Sequence, residues 1–311
     1  MDPLHNKIYI VGAGAIGKAL AIFLKNAGRD VTLIRGTADD LPDESVSLSC
    51  VLNDGSQLTA TVTISTFSQH PQMNGIIVLT NKSIGNSAIS QIIYERCRES
   101  PVVILQNGLD IERAFVEKNI PNIYRCVLLA TSQETSLNTL RFKPVTSSPI
   151  GVVKGDSQKV ESIVTLLNTE HFPFRTEADI QKLVWQKVIA NCVFNSICPL
   201  LDIDNGIFYR DESARKLAAE VIDECVAVAS SEGFTLNSSD VMKTVLQISQ
   251  ASDGQLISTL QDIRRKRPTE IESLNFAIVK IAERHGMAES IQKTALLGEL
   301  TKQKSLLNLP V

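Results

Sequence analysis

Lys7 to Leu20, KIYIVGAGAIGKAL, places an apolar run, Ile8 to Val11, directly before Gly12-Ala13-Gly14-Ala15-Ile16-Gly17. The pattern is G-x-G-x-x-G between a predicted strand and a predicted amphipathic helix, Ala15 to Asn26. Gly12 would permit the tight turn out of the strand. Gly14 would let backbone N–H groups approach a pyrophosphate, and Gly17 would let the helix lie close on the sheet. The positive end of the helix then faces the ligand's negative charge. Glycines alone make only a turn; the flanking strand and helix give this turn its dinucleotide-binding reading.

Moving outward, Asp30 to Ile34 reads as the second strand, and the residue after it bears on the cofactor. An acidic side chain near this point takes the ribose 2′-hydroxyl of NAD, whereas an arginine accommodates a 2′-phosphate. The chain has Arg35 there, so NADP(H) is expected; Asp39 or Asp40 reaching back to a hydroxyl is the alternative. Alternating residues from Val46 to Ser65 around Asn53-Asp54-Gly55 predict a hairpin added antiparallel to the sheet. The strand Gly75 to Leu79 ends at Thr80, Asn81 and Lys82, and Pro101 to Leu105 ends at Gln106, Asn107 and Gly108. Ligands sit at the carboxyl ends of such strands, so Lys82 either meets a ligand or is solvated. Asn107 either presents its amide to a ligand or only forms a turn. A helix from Leu109 to Asn119, an apolar strand Cys126 to Ala130, a strand Pro149 to Val153 and a helix Lys159 to Leu167 complete an α/β Rossmann-like domain, parallel for the most part, over residues 1–178.

The chain has 311 residues, 43% of them hydrophobic, and a net charge of -3, enough for two domains and with no bias toward nucleic acid or a membrane surface. No apolar run is long enough to span a bilayer, and a strand begins almost at the N-terminus, so no signal peptide and a cytoplasmic location are expected. The six cysteines form no C-x-x-C pair and are expected reduced and mostly buried; no structural metal is expected.

From Asp179 the strand signals give way to helices, predicting a helical domain over residues 179–311. In the first helix Ile180, Leu183, Val184, Val188, Ile189, Val193, Phe194 and Ile197 cover most of the circumference. Such a helix should be buried. It nonetheless carries Lys187, Asn191 and Asn195 four residues apart, along one stripe. Buried polar groups need partners or a wet cleft, which makes this stripe a candidate site. Ala214 to Ser231 and Ser238 to Gln250, the latter starting at Ser239-Asp240, read as core helices. Arg264 to Arg267 reads as a solvated face, and Thr269-Glu270-Ile271-Glu272 as a capping box; either both glutamates merely favour the helix N-terminus, or Glu272 completes the cap and Glu270 is left to face the cleft.

Together these residues resemble the ketopantoate reductase (2-dehydropantoate 2-reductase) family along essentially the whole chain. The motifs are the glycine loop, Arg35, Lys82, Gln106-Asn107-Gly108, W-x-K-x-x-x-N-x-x-x-N from Trp185 to Asn195, and S-x-L-Q-D-I-R-x-x-R-x-T-E-I-E from Ser258 to Glu272. The resemblance implies a C-terminal domain of the 6-phosphogluconate dehydrogenase C-terminal type, NADPH/NADP+ as cofactor, and a small 2-keto acid as substrate. It also implies Lys187 as catalytic lysine and general acid, Glu270 as the glutamate that binds substrate beside it, and Ser258 as the substrate serine. Asn107 would lie near the nicotinamide, and Asn191 and Asn195 would line the substrate pocket. The expected reaction is reduction of 2-dehydropantoate to pantoate on the route to pantothenate and coenzyme A. The alternatives are a reductase of another 2-keto acid on the same scaffold and a non-catalytic NADP(H)-binding sensor. Departures from the family pattern at Ser196, Gln255, Phe276 and Met287 to Ile291 bear on which keto acid is taken. The oligomeric state, a homodimer included, is left open.

Overall fold

The computed structural model describes residues 7–97 and 99–309. The chain forms two compact units, one running to Gln106 and resuming from Ile111 to Ile180, the other made of Asn107–Asp110 and the chain from Gln181 onward. The short segment Asn107–Asp110, read from sequence as part of the first domain, thus groups with the second.

The first unit is a single 11-stranded sheet. Its elements, in order, are β1 (Lys7–Val11), α1 (Ala15–Asn26), β2 (Asp30–Ile34), β3 (Glu44–Val51), β4 (Gln57–Ser65), β5 (Ile76–Leu79), α2 (Asn86–Arg96), β6 (Val102–Ile104), α3 (Arg113–Glu117), β7 (Ile123–Cys126), β8 (Ala130–Ser136), β9 (Thr139–Pro144), β10 (Ser148–Lys154), α4 (Lys159–Leu167) and β11 (Phe174–Thr176). Spatially the order is β11-β10-β7-β6-β5-β1-β2-β4-β3-β9-β8. The run β7-β6-β5-β1-β2-β4 is parallel throughout. Alternation along β1 explains the two-sided core: Ile8 and Ile10 pack in one apolar cluster, Tyr9 and Val11 in another. Such strands are hydrophobic on both faces because both faces are covered.

The predicted hairpin is β3–β4, antiparallel from Glu44↔Ile64 to Val51↔Gln57, turned by Gly55 at φ 83° with the Asp54 carboxylate accepting the Ser56 N–H at 2.9 Å. Two predicted elements differ. The helix expected from Leu109 is only α3, because Asp110 sits at φ 58° and cannot belong to a right-handed helix. The strand expected over Cys126 to Ala130 is divided, with β7 ending at Cys126 and β8 opening at Ala130 into a hairpin with β9 that the polar sequence did not predict.

The second unit comprises α5 (Ile180–Leu201), α6 (Ile207–Arg210), α7 (Glu212–Ser231), α8 (Ser238–Ala251), α9 (Ser258–Arg264), α10 (Asn275–Arg284) and α11 (Gln292–Asn308). The 22-residue α5 is its centre. Trp185 packs on Phe234 with ring centroids 5.9 Å apart, and Phe194 meets Phe208 edge-on at 4.9 Å. Phe194 and Phe208 are buried, and full burial of such a side chain stabilises by about 1.5–3 kcal/mol; Phe234 is only half-buried. Pro199 lies inside the last turn, and α11 contacts the helix end there: Lys304 Nζ donates to the Pro199 carbonyl at 2.6 Å and Thr301 Oγ1 to the Ser196 carbonyl at 3.3 Å. A cation at a helix C-terminus also complements its dipole.

Asp211 caps α7 by accepting the Ala214 N–H at 2.7 Å, and Asn237 caps α8 through the Ser239 N–H at 2.9 Å, so that helix starts one cap earlier than Ser239-Asp240 suggested. The capping box at Thr269 to Glu272 does not form. Glu270 precedes a single 3₁₀ turn, Ile271–Ser273, with no side-chain cap, while Glu272 pairs with Lys302 at 2.7 Å. A long-range charge partner has taken the carboxylate that local sequence assigned to the helix start.

Candidate functional site

In the first unit the turn from β1 into α1 is built by glycines for two different reasons. Gly12, at φ 118°, lies against the Asn81 N–H and Thr80, and Gly17 lies against the Gly12 carbonyl and Thr80 Oγ1, so a Cβ at either position would collide. The Thr80 hydroxyl sits 3.1 Å from the Val11 carbonyl and 2.9 Å from that of Gly12, fastening the turn to the end of β5. Gly14, by contrast, has nothing within 4 Å of where a Cβ would be, and is exposed. Packing does not demand glycine there; a close-approaching ligand would. The first turn of α1, which includes Ala15, Ile16 and Gly17, has no side-chain cap and no acidic residue. Its unsatisfied N–H groups and dipole fit an anionic group such as a pyrophosphate. Ala13 completes the turn, half-buried.

Arg35 follows β2 and its guanidinium is already engaged, with Nη2 2.6 Å from the Glu44 carboxylate. Its Nη1 is buried and without a hydrogen-bond partner. Lys82 lies half-buried beyond β5, directly before a 3₁₀ turn. Its neighbour Asn81 donates to the Lys82 carbonyl at 2.8 Å and keeps a buried, unpaired Oδ1. Thr80, Asn81 and Glu44 did not stand out in the sequence. The signal for the first two was their place at a strand's carboxyl end beside Lys82.

In the second unit two pairs of expected site residues meet. Asn107 Nδ2 donates to Glu270 Oε2 at 3.4 Å, and the Ser258 hydroxyl donates to Asn195 Oδ1 at 3.3 Å. Ser273 holds the first pair in register: its carbonyl accepts the Leu109 N–H at 2.9 Å, its hydroxyl donates to the Glu270 carbonyl at 3.0 Å, and it fills the space beside Gly108. Asn195, 3% exposed, also accepts from Thr259 Oγ1 at 2.7 Å, so it ties the start of α9 to α5 and orients the exposed Ser258 rather than facing solvent itself. Lys187 and Asn191 are half-buried on the same stripe of α5, respectively two steps and one step before Asn195. Four-residue steps span about 6 Å each, so the stripe runs about 12 Å. Asn107 Oδ1 is buried without a partner, an acceptor left available for a donor.

The thiols offer no competing nucleophile. All six are buried and unbridged. Burial pushes Cys50 up to about 11 and Cys97 and Cys198 up to about 12, away from the reactive thiolate.

A glycine-turned parallel sheet followed by a helical unit with a lysine, a carboxylate and amides defines the class of two-unit proteins with a Rossmann-type first unit. Residues 8–145 match the family described as "Ketopantoate reductase PanE/ApbA", and residues 179–304 its C-terminal counterpart. A 2-dehydropantoate 2-reductase of Pyrococcus horikoshii is 29% identical, covering 89% of this chain and 91% of that protein. A probable 2-dehydropantoate 2-reductase of Schizosaccharomyces pombe is 27% identical, covering 98% of each. Among solved structures, D-mandelate dehydrogenase with NADH and anilino(oxo)acetate superposes with a TM-score of 0.84 at 24% identity, over 98% of this chain and 100% of that one. The chain belongs to the ketopantoate reductase family, whose members are oxidoreductases acting on a keto group or the corresponding alcohol. Among the described residues, no helix is long and apolar enough to cross a membrane.

Proposed function

We propose that the protein reduces 2-dehydropantoate to pantoate with NADPH, in the cytoplasm, supplying pantothenate and coenzyme A synthesis. The observation that carries this reading is the Asn107–Glu270 contact at 3.4 Å, with Asn107 Oδ1 buried and unpaired, in the unit that bears the Lys187 stripe. It supports an amide braced by an acid, with an acceptor held ready for a bound reactant. The reduced nicotinamide would supply hydride to the keto carbon. Lys187, as the cationic general acid, stabilises the charge developing on the keto oxygen and gives it a proton. Glu270 accepts from a substrate hydroxyl, and Ser258, its proton held by Asn195, offers its hydroxyl oxygen as an acceptor to a substrate hydroxyl. Asn191 extends the same polar stripe. The turn Gly12 to Gly17 and the start of α1 hold the pyrophosphate, Arg35 the 2′-phosphate, and Lys82 and Asn107 other polar parts of the dinucleotide.

A second reading, reduction of a different 2-keto acid, is favoured by the departures from the family pattern. Ser196 is fully buried and donates to the Cys192 carbonyl at 2.6 Å, and Phe276 lies under Lys302 Nζ at 5.1 Å. A sensor without catalysis has no use for Lys187 and Glu270 together. The deciding experiment follows NADPH oxidation by absorbance with 2-dehydropantoate and a panel of 2-keto acids. The expected result is the highest kcat/KM with 2-dehydropantoate. A higher value with an aryl or other keto acid replaces the substrate, and binding of NADPH with no turnover on any of them favours the sensor.

A further inference from the structure

We propose that Glu44 sets how strongly the protein discriminates NADPH from NADH, by competing with a 2′-phosphate for Arg35; this rests on the reading that Arg35 faces the 2′ position of a bound dinucleotide. Arg35 is fixed at the end of β2, its N–H donating to the Ser65 carbonyl at 2.8 Å. Glu44 opens β3 and pairs with Ile64, so both residues sit at one end of the β2–β4–β3 segment. Their charges meet at 2.6 Å, with the Arg35 side chain 23% exposed and that of Glu44 60% exposed.

Two of the neighbouring acids are committed elsewhere. Asp39 accepts the Ser68 N–H at 2.8 Å, and Asp43 accepts the Ser65 hydroxyl at 2.5 Å, an oxygen that also lies 2.9 Å from His70 Nε2. They shape the loop, while Glu44 alone among them is seen to hold the guanidinium. One arm of Arg35 is thereby occupied and the other, Nη1, is buried and unpaired. A ribose hydroxyl can satisfy Nη1 and leave the ion pair intact. A phosphate brings a charge of about −1.5 to −2 beside a carboxylate and must draw Arg35 away from it. Arg35 therefore favours the phosphate and Glu44 opposes it, leaving a narrower preference than a lone arginine would give.

The test is equilibrium binding of NADPH, NADH and 2′,5′-ADP to the wild type, Glu44→Gln and Arg35→Ala, followed by dinucleotide fluorescence and calorimetry. Glu44→Gln keeps side-chain size at an exposed position, and its melting temperature checks the fold. The variant is expected to bind NADPH and 2′,5′-ADP about three- to tenfold more tightly, with NADH nearly unchanged, and added salt should shrink the gain. Arg35→Ala should lose NADPH selectively. Unchanged or weaker NADPH binding by Glu44→Gln, with Arg35→Ala behaving as expected, overturns the role of Glu44 alone. Equal losses of NADPH and NADH in Arg35→Ala, or no binding of either dinucleotide by the wild type, overturn the underlying cofactor reading and this proposal with it.

Discussion

On the proposed reading, the first unit offers a dinucleotide mainly backbone groups, an exposed Gly14 and the uncapped first turn of α1, held by Gly12, Gly17 and Thr80, with the side chains of Arg35 and Lys82 beside them. In the second unit, on the same reading, the groups are side chains, Lys187 and Asn191 half-buried on α5 and Asn107 against Glu270, with Asn195 buried behind Ser258. The contrast has a chemical reason. Holding a pyrophosphate asks for fixed N–H donors and room to approach, which the absence of a side chain provides. Moving a proton asks for a titratable group, which only a side chain provides. A substitution in the first unit should therefore act on affinity and stability, and one in the second on turnover.

The largest effect expected is for Lys187→Ala, a fall in kcat of about 10²- to 10⁴-fold. Dinucleotide affinity, measured by fluorescence titration, should be unchanged. If affinity collapsed along with kcat, the division of labour between the units would be wrong. Gly17→Ala probes the other side. The added methyl meets the Gly12 carbonyl and Thr80 Oγ1, an overpacking cost of about 1–3 kcal/mol. Denaturant titration should show that loss and binding should weaken, whereas Gly14→Ala, with open space around it, should leave stability unaltered while still weakening the dinucleotide. Equal destabilisation by both would remove the distinction between a packing glycine and an approach glycine.

The smallest effect concerns the turn after α5, outside either set of ligand groups. The Arg210 guanidinium, then the Gly206 and Gly254 N–H groups, hold Asp204 down from 3.8 to about 2. Because the folded pKa is the lower one, the stabilisation is complete above pH 4 and is lost as the pH falls through 2. With solvent screening allowed for, it is worth at most about 1 kcal/mol. Asp204→Asn should lower the urea midpoint at pH 7 and converge with the wild type near pH 2, at unchanged kcat. A gap that persisted at low pH would mean the carboxylate's charge is not what stabilises the turn.

What could be read in the sequence follows the same contrast. Elements fixed by local pattern, β1, α1, β2, the Asn53-Asp54-Gly55 hairpin and α4, lie where the residues indicate. Arg35, Lys82 and Asn107 were legible as positions at strand ends. Interactions between distant residues were not: Glu272 reads locally as a cap but pairs with Lys302, and Arg35 reads as a lone cation but pairs with Glu44. The β8–β9 hairpin escaped because β8, ATSQETS, has no fully buried residue, so no apolar alternation marks it. Arg125, 2% exposed within β7, contradicts the usual exposure of arginine and no neighbouring residue in the sequence signals its burial.

The hold of Ser273 on Leu109 and Glu270 has a consequence for how the protein is made. Asn107–Asp110 is translated with the strands around it yet belongs to the later unit. At 5–20 residues per second, Ser273 leaves the ribosome roughly ten to thirty seconds after Gly108, about 160 residues later. The nascent sheet must carry this bend without its final partner until synthesis is nearly done. A gene cut between the domains would strand Asn107 on one fragment and Glu270 on the other.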